Sequence, residues 1–208
     1  MSGVGTGRMA LEIDGPAPSV ARAGIPSVGG DPRPPRPSDD RDDILRTADR
    51  WIRAGRAVAL ATVIETWGSA PRRAGGQMVV DADGRFVGSV SGGCVEGAVI
   101  TEAADVIDDG RARLLEFGVS NDRAWTVGLA CGGRIRVRVE RLAAEDLARL
   151  DRLFQARERR RAVVEATGLE HPLHRLIEPG GPDDLAEAAA AALASNRAAL
   201  VDTEAGPV

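Results

Sequence analysis

The apolar positions of this chain switch between two periods, and each switch marks an element. Ile44, Leu45, Ala48, Trp51 and Ile52 fall on one face of a helix, with Asp39 or Asp40 able to cap it and Gly55 able to end it. Ala57 to Glu65 is a short apolar run rich in β-branched residues, the signature of a buried strand. Gln77–Val80 and Arg85–Val90 flank Asp81-Ala82-Asp83-Gly84, which predicts a hairpin. Helical spacing returns at Val95, Val99, Ile100, Ala103, Val106 and Ile107, and Gly110 closes that stretch. Arg113–Phe117 reads as a strand. Arg134–Glu140 is the clearest one, because Ile135, Val137 and Val139 alternate strictly with Arg134, Arg136 and Arg138. Beyond it come a helix over Glu145–Arg157, carrying Leu147, Leu150, Leu153 and Phe154 on one side, a strand over Arg161–Thr167, and an alanine-rich helix over Asp183–Ala194. No closing element is expected after Leu200–Thr203. The alternation predicts an α/β fold: one mixed-sheet domain with flanking helices over residues 39–208.

Residues 1–38 have no such pattern. They are rich in Gly, Pro and Ser and end in Asp31-Pro32-Arg33-Pro34-Pro35-Arg36-Pro37, so a disordered tail is expected, either a tether or the product of an over-called translation start. Composition adds a few exclusions. All 27 basic residues are arginine, a compositional bias of the genome before it is a functional signal. The formal net charge of -4 gives no global argument for nucleic acid. With aromatics at 3%, the core must be mostly aliphatic. No apolar run reaches the roughly 20 residues of a membrane span, and no apolar signal segment opens the chain. Two cysteines far apart give no disulfide framework and suit a reducing cytoplasm.

Candidate chemistry gathers in three glycine-rich turns. In Gly88-Ser89-Val90-Ser91-Gly92-Gly93-Cys94-Val95-Glu96-Gly97 a cysteine stands where a turn becomes a helix. Unpaired N–H groups at a helix start favour an anion, and the same field favours a thiolate. Cys131 has a similar setting in Gly128-Leu129-Ala130-Cys131-Gly132-Gly133, before a strand. The loop Trp67-Gly68-Ser69-Ala70-Pro71-Arg72-Arg73-Ala74-Gly75-Gly76-Gln77 offers two guanidinium groups suited to phosphate. The arginine row of the alternating strand is either a solvated face or an anion-facing surface. Other chemistries find little support. The cysteines form no C-x-x-C pair, and His171 and His174, separated by Pro172, read as surface-loop residues rather than zinc ligands. Gly88-x-Ser-x-Ser is not a nucleophile elbow, and Glu96, two residues on in the helix, points away from Cys94. P-loop and dinucleotide fingerprints are absent.

Three ordered segments, Thr62-Val63-Ile64-Glu65-Thr66-Trp67-Gly68-Ser69-Ala70-Pro71-Arg72, Gly88–Glu96 and Val127–Gly133, resemble the N-terminal module of the XdhC/CoxI family, with the second and third leaning toward the CoxI side. Members are accessory proteins of molybdenum hydroxylases such as xanthine dehydrogenase and aerobic carbon monoxide dehydrogenase. The resemblance implies a cytoplasmic maturation factor rather than an enzyme. Such a factor binds the molybdenum cofactor, as molybdopterin or its dinucleotide form, assists its sulfuration and delivers it to the apoenzyme. It carries over Gly68, Ser69, Pro71 and Arg72 of the first segment, Gly92, Gly93, Cys94 and Glu96 of the second, and Cys131, Gly132 and Gly133 of the third. The chemistry of these residues, with Arg73 and Ser91 beside them, suggests cofactor contact, with Cys94 and Cys131 facing the molybdenum. Partners implied are the hydroxylase apoenzyme, a cysteine desulfurase and a separate Rossmann-type half, since fuller members continue into such a domain; a homodimer is compatible. Two other classes fit the residues: a cysteine-dependent sulfur-transfer or redox protein, and a scaffold that binds apoenzyme and desulfurase without cofactor.

Overall fold

The computed structural model describes residues 40–70, 72–118, 132–169, 173–203 and 206–208, with side chains from residue 44 onward. The tail expected over 1–38 lies outside the described residues, as do Pro71, Cys131 and His171. Helix α1 (Asp40–Arg53) leads into β1 (Val58–Trp67), then β2 (Gln77–Asp81), β3 (Phe86–Gly88), α2 (Glu96–Asp109), β4 (Arg113–Phe117) and β5 (Arg134–Leu142). A 3-10 turn at Ala144–Asp146 opens α3 (Leu147–Glu158). The C-terminal part holds β6 (Val164–Thr167), β7 (His174–Ile177), α4 (Ala186–Ser195), β8 (Asp202–Thr203) and β9 (Gly206–Pro207).

The main sheet has the order β3-β2-β1-β5-β4. Every neighbouring pair in it is antiparallel. The α/β character expected from sequence is therefore a matter of helices against strands, and the sheet pairs antiparallel throughout, with strand direction alternating. Period-2 alternation divides the sheet into two apolar faces. Ala59, Ala61, Val63, Met78, Val80, Ile135, Val137 and Val139 meet Val99, Ala103 and Val106 of α2 in one buried cluster. Val58, Leu60, Val79 and Leu142 meet Ile44, Leu45, Ala48 and Ile52 of α1 and Leu150, Leu153 and Phe154 of α3 in another. The sheet is thus a middle layer between α2 and the α1/α3 pair.

Turn chemistry closes the elements. Gly110 ends α2 in the left-handed region at φ 72°, its N–H on the Val106 carbonyl. The Asp81 carboxylate accepts the N–H groups of Asp83 (3.0 Å) and Arg85 (2.9 Å), which fixes the β2–β3 turn. The C-terminal part differs from expectation. His174 starts a strand of a second, two-stranded sheet, β6–β7, and does not belong to a surface loop. A short β8–β9 hairpin follows α4, where no closing element is expected.

Candidate functional site

Antiparallel register decides where the motif loops emerge. Trp67, at the C-terminal end of β1, pairs with Arg134 at the start of β5. Phe117, at the end of β4, pairs with Ile135, and Gly88, at the end of β3, pairs with Met78. The segments that follow β1 and β3 and the one that precedes β5 therefore share one end of the sheet. Two of them touch directly. A Cβ on Gly133 would lie 2.9 Å from the Ala70 nitrogen and 3.1 Å from the Trp67 carbonyl oxygen, so only glycine lets the loops nest. Ala70 also packs on the cluster that contains Val90 and Val95 of the turn before α2.

The turn before α2 is built around one carboxylate. Glu96 is 7% exposed and reaches back over its own approach loop. Its Oε1 accepts Ser89 Oγ (2.6 Å) and the Ser91 N–H (2.9 Å). Its Oε2 accepts Ser91 Oγ (2.5 Å) and the Gly93 N–H (2.8 Å). The N–H groups of Val90 and Gly92 lie 3.2 Å from Oε1. Burial opposes the ionised form, but the Ser89 and Ser91 hydroxyls and the Ser91 amide outweigh it and hold the Glu96 carboxyl at about 2. The amides of Gly92 and Gly93, expected to await an external anion, thus serve an internal one. Cys94 lies before the helix and not in it, and the Glu96 side chain turns back into the approach loop. The sequence gives little warning: the residue three before Glu96 is Gly93, so no capping box announces the clamp, and the two serines lie five and seven positions upstream.

Cys94 stands on the outside of this turn as an exposed free thiol. Gly92 (φ 79°) and Gly93 (φ 116°) both occupy the left-handed region that turns the chain around the carboxylate. Gly68, Ser69, Arg72 and Arg73 are at the same sheet end, and the two arginines carry charge into solvent. The loop after β1 folds back on its own strand: Val63 N–H donates to the Gly76 carbonyl (2.8 Å) and Gly75 N–H to the Val63 carbonyl (2.7 Å). Neither Arg72 nor Arg73 has an ion pair among the described residues. Gly132 and Gly133 are present at this end, while the position of Cys131 lies outside the described residues. Among the described residues no group of three or more His, Cys, Asp or Glu side chains could hold a metal ion.

The arginine row of β5 is engaged with partners in the same chain, although Arg136 Nε and Arg138 Nε are buried without a hydrogen-bond partner among the described residues and Arg134 stays exposed. Arg134 stacks on Trp67, its guanidinium carbon 4.9 Å from the ring centroid. Arg136 lies 2.6 Å from Glu65 and 3.2 Å from Glu116, carboxylates of the two flanking strands. Arg138 is buried and pairs with Glu140 at 2.5 Å. His174 Nε2 is 2.8 Å from Glu140, tying β7 to β5. Burial raises the Glu140 carboxyl, and the hydrogen bond with His174 and the charge of Arg138 more than reverse this, leaving it below the usual carboxylate range.

An antiparallel sheet between helices, with the loop after β1, the turn before α2 and the approach to β5 emerging at one end, defines the domain. Residues 51–118 match the sequence model of the XdhC and CoxI family. It is 40% identical over 121 residues to the molybdenum cofactor insertion chaperone PaoD of Escherichia coli (strain K12), a match covering 57% of this chain and 37% of that protein. It is 29% identical over 135 residues to a probable xanthine dehydrogenase subunit of Bacillus subtilis (strain 168), covering 64% and 41%. A crystal structure of a xanthine dehydrogenase from Bacillus halodurans shares the fold, with a TM-score of 0.52 at 24% identity over 64% of this chain and 41% of that one. The chain therefore spans about two-fifths of the length of these relatives.

Proposed function

We propose that this chain is a maturation factor for a molybdenum hydroxylase and carries the molybdenum cofactor as cargo, without turnover of a substrate. The observation that carries the reading is the exposed Cys94 thiol, held on a rigid carboxylate-clamped turn at the sheet end where the other glycine-rich loops emerge. The match to a molybdenum cofactor insertion chaperone supports it. A thiolate is a fitting ligand for a soft metal–sulfur centre and can carry sulfur as a persulfide, so Cys94, with Cys131 as its candidate partner, would face the molybdenum–dithiolene head and assist sulfuration. Arg72 and Arg73 would take the phosphate of the cofactor, in molybdopterin or dinucleotide form. The backbone amides of Gly92 and Gly93 leave this role to the arginines, because Glu96 uses them. The apoenzyme, a cysteine desulfurase and a Rossmann-type half are the partners in this reading, in the cytoplasm, with self-association into a homodimer open to the same test.

The test is anaerobic purification of the whole chain from molybdenum-replete cells, with metal and pterin measured on the same sample. Wild-type protein is expected to retain both. Cys94→Ser should lose molybdenum more than pterin, and Arg72→Ala should weaken retention of both. Wild-type protein that holds neither metal nor pterin overturns the proposal.

A further inference from the structure

A cavity of about 650 Å³ opens beside the C-terminal end of β1, bordered by Glu65, Trp67, Arg73, Ser195, Asn196 and Arg197. Its walls come from parts of the chain far apart in sequence: the end of β1, the loop after it, and the turn that closes α4. Three observations bear on what it can hold.

The first is charge. Arg73 and Arg197 are exposed at the cavity, and neither has an acidic partner among the described residues. The single carboxylate on the wall, Glu65, is committed to Arg136 at 2.6 Å. The concavity therefore carries two uncompensated guanidinium groups. The second is the end of α4. Helix C-termini repel anions through their free carbonyls, and here two of them are capped: the Asn196 N–H donates to Ala192 and Leu193, and the Arg197 N–H to Ala192 (3.1 Å). The same end of the helix favours the positive charge of Arg197. The third is Trp67, whose ring is 39% exposed, lines the cavity and is steadied by Arg134 at 4.9 Å. A flat aromatic wall beside paired guanidinium groups suits a ring that carries a phosphate.

We propose that this cavity is a phosphate-ester site in which Arg73 and Arg197 take the phosphate and Trp67 takes the attached planar ring. This deepens the reading above, on which it rests only for the identity of the natural ligand, and it adds to the site a C-terminal turn that the three motifs do not contain. Cys94 has no part in it.

The test uses the whole chain, titrated calorimetrically with GMP, guanosine and inorganic phosphate at low salt. GMP is expected to bind saturably, with guanosine and phosphate at least tenfold weaker, and added salt should weaken GMP further. Arg73→Ala and Arg197→Ala should each weaken GMP about tenfold or more, with helical content unchanged. Trp67→Ala should weaken GMP but leave phosphate as it was. Arg111→Ala, an exposed arginine away from the cavity, should bind GMP like wild type. Absence of saturable GMP binding, or an Arg197→Ala protein that binds like wild type, overturns the proposal. A chain that retains molybdenum and pterin but not GMP defeats the cavity and leaves the cofactor reading standing; the converse result defeats the cofactor reading alone.

Discussion

Glu96 is the residue on which the turn before α2 depends. Two serine hydroxyls and the amides of Ser91 and Gly93 converge on its carboxylate within 3.0 Å. Its carboxyl titrates at about 2 against an ordinary 4.5, so its contribution is complete above pH 4.5 and is lost as the pH falls through about 2. A shift of that size corresponds to about 3 kcal/mol at most, reduced by solvent screening at the rim of the turn. Glu96→Gln is expected to lower the unfolding free energy by about 1–3 kcal/mol at pH 7. The gap to wild type should narrow steadily between pH 4.5 and 2 in chemical denaturation. A constant gap across that range would mean that the carboxylate charge contributes nothing. Glu96 also marks a limit of sequence reading: its residue type and position are conspicuous, but which way its side chain turns depends on hydroxyls that no local motif connects to it.

At the scale of elements, the glycines are not equivalent. Gly133 has backbone atoms of Ser69 and Ala70 within 3.1 Å of where a Cβ would stand, whereas Gly97, in the first turn of α2, has open space there. Gly133→Ala must push the β1 and β5 loops apart and should cost about 1–3 kcal/mol. Gly97→Ala should stabilise the protein by about 0.5–1 kcal/mol, since alanine restricts the unfolded chain and favours the helix. Denaturant midpoints of the pair decide the matter; equal shifts would contradict the loop packing. The strands and helices around these turns were legible because their patterns are strong: strict alternation in β5, and helical spacing closed by a glycine in α2. β6 was legible as a strand, but β7 and its pairing with β6 were not, because the segment after His171-Pro172 carries neither clear alternation nor a tight-turn dipeptide.

For the whole molecule, the connection between the main sheet and the C-terminal part combines ionic contacts with the packing of Leu176 of β7 on the α1/α3 cluster. Glu140 of β5 holds His174 of β7 at 2.8 Å, and Arg149 of α3 reaches Glu165 of β6. The other apolar residues of the C-terminal part form a small cluster of their own around Ile177, Leu185 and Ala189. Glu140→Gln is therefore expected to raise hydrogen exchange over residues 164–203 while β1, β2 and β5 keep their protection. Uniform loss of protection would show that the two parts unfold as one. The depressed Glu140 carboxyl gives the tie a sign: it is at full strength above the ordinary carboxylate pKa and fades as the pH drops below it. The meeting of the loop after β1 with Gly133 at the start of β5 belongs to this scale too. It follows from antiparallel pairing between β1 and β5, segments separated by more than half of the sheet's sequence, and no local pattern could announce that register.

The carboxylate that fills the turn beside Cys94 also bears on competition. A ring of free amides at that place would be an open receptor for whatever small anion is most abundant around it, and inorganic phosphate would crowd the thiol. With Glu96 as a permanent tenant, such ions meet a nest already neutralised. The thiol beside it is then left uncrowded by common anions.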